Sequence, residues 1–333
     1  YEQPVADAGS GGDECDLDFS LAATASVGTG TWTKASGPGT ATFTDDNAAS
    51  TTVTVDTYVT YTFTWTEVNG TCSDNQTITV NFYEQPVADA GSGGDDCDLN
   101  FDLAATASVG TGSWTKASGP GTSTVSDDKA ASSWVTVDTY GTYTFTWTEV
   151  NGTCSDNQTI TVNFYEQPVA DAGPGGNECD LDFSLAATAS VGTGTWTKAS
   201  GPGTATFTDD NAASTTVTVD TYGTYTFTWT EVNGTCSDNQ TITVNFYVQP
   251  VADAGSGGDE CDLDFSLAAT ASVGTGTWTK ASGPGTATFT DDNAASTTVT
   301  VDTYGTYTFT WTEVNGTCSD NQTITVNFYE QPV

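Results

Sequence analysis

Thr60, Thr62, Thr64 and Thr66 alternate with Tyr61, Phe63 and Trp65, the period of a strand with one buried face. Further on, Ile78, Val80 and Phe82 alternate with Thr77, Thr79 and Asn81. Asn69-Gly70 lies between the two runs and predicts a hairpin closed by a type I′ turn, with φ > 0 at both central residues. Shorter runs precede this hairpin. Val5-Ala6-Asp7-Ala8 reads as a first strand, ended by the glycine-rich stretch 9–12. Leu17, Phe19 and Leu21 alternate with Asp16, Asp18 and Ser20 as a second, and Thr31-Trp32-Thr33 is a third, its Trp in the core. After the turn at Gly37-Pro38-Gly39, stretches around Phe43 and through Val53 and Val55 make two more. No helical period of useful length is present. Seven short strands at this spacing predict a two-sheet antiparallel sandwich.

The whole pattern is written four times. Tyr1, Tyr83, Tyr165 and Tyr247 open successive copies, predicting domains at 1–82, 83–164, 165–246 and 247–328, with 329–333 as the start of a fifth. A unit of this length is large enough to bury its own core. The predicted class is therefore all-β: tandem seven-stranded immunoglobulin-like sandwiches, arranged as beads in a rod. The joint Tyr83-Glu84-Gln85-Pro86 is too short for a flexible tether, and Tyr83 is expected to pack between neighbours. Repeats one and four differ only at positions 2/248 and 59/305. With no Met and no leader or membrane-spanning run, the chain reads as an excerpt of a longer, processed array.

The cysteines fall two per repeat: Cys15/Cys72, Cys97/Cys154, Cys179/Cys236 and Cys261/Cys318. No His is present to complete a zinc site, so the even spacing predicts disulfides and an oxidising compartment. Pairing inside a repeat is the expectation, because each copy would then fold alone. Such a bridge would contribute about 4 kcal/mol in the chain-entropy model. Pairing between neighbours, such as Cys72 with Cys97, is the alternative.

Charge narrows the partners. The chain has 43 acidic residues against five lysines, a formal net charge of −38. Nucleic acid and anionic membranes both demand cationic contacts and are excluded as partners. Asp13 and Asp16 would lie near Asp74 if Cys15 bonded Cys72, and three hard oxygens suit Ca²⁺; a solvated acidic rim is the competing reading. Lys34 lies on the same side as Trp32 and is expected to reach towards nearby carboxylates, an isopeptide bond being the alternative. Asn69-Gly70-Thr71 and Asn75-Gln76-Thr77 both fit the N-glycosylation pattern. Trp134, which stands where the other copies have Thr, is expected to point outward.

PVADAG, TWTKASGPGTATFTDD and YGTYTFTWTEVNGTCSDNQTITV resemble the PKD-like, immunoglobulin-like repeats of large secreted surface proteins of Bacteroidetes-type gliding bacteria. The resemblance covers essentially every residue of each repeat. It implies a seven-stranded sandwich, secretion to the cell surface, and a role as stalk, adhesin or filament without a catalytic site. The expected function is the structural shaft of an extracellular filament or adhesin, with neighbouring repeats, and other copies in a filament, as partners. A repeated carbohydrate- or Ca²⁺-dependent module acting by avidity, with a glycan or surface receptor as its ligand, is the alternative.

Overall fold

A computed structural model of the chain describes residues 1–332; Val333, at the end of the predicted fifth-repeat start, lies outside the described residues. The described residues contain strands and no helix. In repeat one the strands are β1 (Gly12–Glu14), β2 (Asp18–Ala22), β3 (Thr29–Ser36), β4 (Ala41–Phe43), β5 (Ser50–Val55), β6 (Thr60–Asn69) and β7 (Cys72–Phe82). They form a four-stranded sheet in the order β1-β7-β6-β3 and a three-stranded sheet in the order β2-β5-β4. The other repeats reproduce both sheets, so the protein is a tandem of immunoglobulin-like β-sandwiches. Two compact units are distinguished, Tyr1–Glu166 and the remainder from Gln167, each carrying two repeats.

Each sandwich closes over its own core. The inward faces of β6 and β7 supply Tyr61, Phe63, Trp65, Ile78, Val80 and Phe82, all buried. Trp32 meets Trp65 across β3 and β6, ring centroids 5.3 Å apart, and Leu21, Val53 and Val55 close the core from the other sheet. The predicted in/out alternation of the hairpin holds along both strands.

Three details differ from expectation. The turn is Gly70-Thr71, because Asn69 still pairs with Cys72. Only Gly70, at φ 66°, has positive φ; this is the pattern of a type II′ turn rather than type I′. Asn69 is held in the strand by its amide, which donates to the Glu2 carbonyl at 2.9 Å.

The first strand also lies later than its alternation suggests. Residues 5–8 contribute only an isolated bridge, Asp7 to Thr24. Their amides are satisfied by side chains: Ala6 N–H donates to Asp74 Oδ2 (2.9 Å) and Ala8 N–H to Gln76 Oε1 (2.5 Å). After the glycine-rich bend, β1 pairs with the far end of β7 in parallel, Gly12 with Val80 and Glu14 with Phe82. One pairing in each otherwise antiparallel sandwich is therefore parallel. It covers the edge of β7, which would otherwise expose a free row of hydrogen-bonding groups.

The third difference is at Lys34, whose ammonium donates to the carbonyls of Gly39 (2.5 Å) and Pro38 (3.4 Å) rather than to carboxylates. It lies 5.5 Å from the centre of the Tyr61 ring, so the lysine stem covers the core edge while its charge faces a turn.

Candidate functional site: the joint between repeats

The short joint that follows Phe82 is a built contact. Tyr83 N–H donates to the Glu14 carbonyl of repeat one at 2.8 Å, which extends the β1–β7 pairing by one residue. The Tyr83 ring rests on Gly152 at the hairpin tip of repeat two, where an added Cβ would lie 2.4 Å from the ring. Gly152 also has φ +64°, so position and conformation both demand glycine. Asn151 Nδ2 donates to the Glu84 carbonyl at 2.8 Å, and Gln85 Nε2 to the Ser155 carbonyl at 2.9 Å. The predicted position of Tyr83 between two repeats is observed.

The disulfide completes this joint. Cys15 bonds Cys154, with S–S 2.05 Å and Cα–Cα 5.5 Å. Cys154 Sγ lies 3.8 Å from the same Glu14 carbonyl that accepts Tyr83. The expected Cys15–Cys72 pairing is therefore wrong, and the fold explains why. Cys15 follows the residue paired with Phe82, whereas Cys72 opens β7 at the opposite end. An 11-residue strand separates them by about 33 Å, far beyond the ~6 Å that a disulfide bridges. The neighbour alternative Cys72–Cys97 is not formed either, since Cys72 is free. Within the second unit Cys179 bonds Cys318, Tyr247 N–H donates to the Glu178 carbonyl, and the Tyr247 ring rests on Gly316. Val248, which replaces Glu there, contributes its carbonyl to Asn315; only the main chain is used at this position, so its side chain is free to vary. Cys97 and Cys236 are disulfide-bonded, while Cys72 and Cys261 carry free thiols.

The same geometry disperses the proposed Ca²⁺ ligands. Asp13 accepts from Asn81 Nδ2 (2.7 Å) and Asp16 from the Asp18 amide (2.8 Å), both near the β1 end. Asp74 is paired with Glu67 near the hairpin tip and serves the Ala6 amide. Among the described residues no group of three or more Asp, Glu, Cys or His is placed to hold a metal ion. Of the two glycosylation candidates, Asn69 is half-buried with its amide engaged, whereas Asn75 is exposed on β7. Trp134 is 57% exposed.

A buried carboxylate escaped the sequence reading. Glu67 is 1% exposed and accepts hydrogen bonds from Ser26 N–H (2.8 Å), the Ser26 hydroxyl and Trp65 Nε1 (3.1 Å). The Ser26 hydroxyl oxygen in turn accepts from Val5 N–H at 3.0 Å. Burial by itself raises the carboxyl pKa, but the Ser26 and Trp65 donors outweigh it and hold Glu67 below its ordinary value. Glu149 and Glu313 behave alike. The signal was parity: Glu67 stands two residues after Trp65 on the inward face.

No protein-family model matches the chain, and no curated protein matches it. Among solved structures, it is similar to the N-terminal eight Ig domains of Down Syndrome Cell Adhesion Molecule (13% identity, TM-score 0.46, 98% of this chain and 49% of that one). It is also similar to an ectodomain fragment of ICAM-5 (8%, TM-score 0.48, 99% and 100%), and to a three-Ig structure from titin (15%, TM-score 0.41, 73% and 98%).

Proposed function

We propose that the chain is the repeated shaft of an extracellular filament or adhesin stalk, with each of 1–82, 83–164, 165–246 and 247–328 acting as one module. The observation that carries this reading is the joint. In each observed pair the disulfide is one tie between modules and the joint tyrosine is the other, its amide bonded to one module and its ring resting on the next, which opposes bending more strongly than the chain link alone. Disulfides of this kind belong to an oxidising compartment. The PKD-like wording of the repeats supports the same placement. The role is mechanical and non-catalytic: copy number sets reach. A Ca²⁺- or glycan-binding array is the weaker reading, because the three candidate acids stand apart and a single repeat carries the exposed Trp134.

Small-angle scattering on the 333-residue chain tests the shaft. The oxidised chain is expected to show a maximum dimension near four module lengths, roughly 140–160 Å. Cys15→Ser with Cys179→Ser is expected to broaden the distance distribution. A compact oxidised particle, or identical profiles for both proteins, overturns the proposal.

A further inference from the structure

We infer that the bridges make the chain a load-bearing tether: tension along it runs through the disulfides and bypasses most of every sandwich. Cys15–Cys154 closes a covalent loop around residues 16–153, and Cys179–Cys318 closes another around 180–317. A pull that enters ahead of Cys15 crosses directly to Cys154, follows the main chain to Cys179, and crosses again to Cys318. Cys97 and Cys236 are also bonded and lie inside the two loops. A further bond can shorten this path and cannot lengthen it.

The loaded path crosses each repeat once. In repeats two and four it follows the strands Cys154–Phe164 and Cys318–Phe328, 11 residues each. Every residue of these strands is paired with the other strand of its hairpin. Each is pulled by its two ends while already extended, so tension tautens it without drawing it out of the sheet. In repeats one and three the path follows the opening segments, 1–15 and 165–179. These are pinned to the hairpin of their own repeat. Ala170 N–H donates to Asp238 Oδ2 (2.9 Å) and Ala172 N–H to Gln240 Oε1 (2.6 Å), as Ala6 and Ala8 do to Asp74 and Gln76.

The length at stake is large. Residues 1–15, 154–179 and 318–333 make a path of about 57 residues, which reaches roughly 200 Å when fully drawn out. Without bridges the same chain would reach roughly 1,100–1,200 Å. A bare sandwich in series yields at a rate set by its own unfolding, and each opened repeat then adds its whole contour. With the bridges closed, unfolding inside a loop adds nothing to the distance between the ends of the path. The role as a tether rests on the shaft reading above; the force path rests on the bonds alone.

Single-molecule force spectroscopy on the 333-residue chain, held by tags fused to its two ends, tests the path. The oxidised chain is expected to stop lengthening at roughly 200 Å, with no step the size of a repeat. With a reductant present, the same chain is expected to lengthen in steps of roughly 230–260 Å, the contour of one repeat less its folded length. Repeat-sized steps in the oxidised chain, or none in the reduced chain, overturn the inference. A chain that scattering shows to be bent, yet that stops at the same limit under force, removes the shaft and leaves this force path standing. A straight rod that lengthens repeat by repeat while oxidised does the reverse.

Discussion

Glu67 shows how much one residue organises. Its carboxylate gathers the Ser26 amide and hydroxyl and the Trp65 indole, and through Ser26 it secures the Val5 amide of the opening segment. Because its folded pKa is depressed, its stabilisation is present above the unfolded value, about 4.3, and is lost as pH falls through the folded value. Glu67→Gln is expected to destabilise repeat one by about 1–3 kcal/mol at neutral pH, since buried donors lose an ionised acceptor. Its denaturation midpoint should also fall less steeply than wild type on acidification; parallel curves would remove this role. Position 59 is a second case. Gly141, Gly223 and Gly305 adopt φ of 143–149°, and the tyrosine two residues later bonds a carbonyl four residues upstream, as in Tyr225 to Thr221 at 2.8 Å. Repeat one has Val59 in place of glycine, and the Tyr61 hydroxyl turns to Asp56 Oδ1 at 3.4 Å. Gly223→Val would bring a Cβ to 2.8 Å from Pro202 Cγ. It is expected to cost about 1 kcal/mol or more, read as a lower melting temperature and a shift of Tyr225 to Asp220.

The hairpin is the element on which each sandwich is built, and its two faces make separate predictions. Trp65 is buried against Trp32, so Trp65→Ala is expected to cost about 3–5 kcal/mol. Thr64 is half-buried on the opposite face, so Thr64→Ala should cost under about 0.5–1 kcal/mol. Chemical denaturation of the full chain compares them, and equal losses would contradict the observed facing. The same hairpin ranks the glycosylation sequons. Asn75 and its equivalents project from an exposed strand position, whereas the Asn69 amide nitrogen is committed to the Glu2 carbonyl. In a glycosylating host, mass spectrometry should find glycan at Asn75 and none at Asn69.

At the scale of the molecule, Cys15–Cys154 and Cys179–Cys318 tie one repeat to the next rather than closing single sandwiches. Cleavage at lysine separates the relevant cysteines: residues 1–34 carry Cys15, 35–116 carry Cys72 and Cys97, and 130–198 carry Cys154 and Cys179. Non-reducing digestion should therefore join 1–34 to 130–198 through Cys15–Cys154; a link from 1–34 to 35–116 would restore the pairing inside a repeat. Reduction is expected to loosen the joints while leaving the sandwiches folded, because each core is assembled from residues of one repeat. Near-ultraviolet circular dichroism from the buried tryptophans should survive reduction.

Sequence by itself determined the four-fold repeat, the strands of the hairpin and the residues facing the core, because period-two alternation records which side chains leave water. It also identified Tyr83 as a joint residue, because it stands on a link too short for a flexible tether. The tertiary structure decided what depends on which strand ends meet. Residues 12–14 carry no apolar alternation, and their pairing with β7 is made by backbone groups that every residue possesses. That pairing puts Cys15 at one end of the sandwich and Cys72 at the other, and so sends the Cys15 bond to Cys154 of the next repeat. Spacing along the chain cannot express this: repeated cysteines look alike in one dimension, and only the ends of the strands in space distinguish partner from bystander.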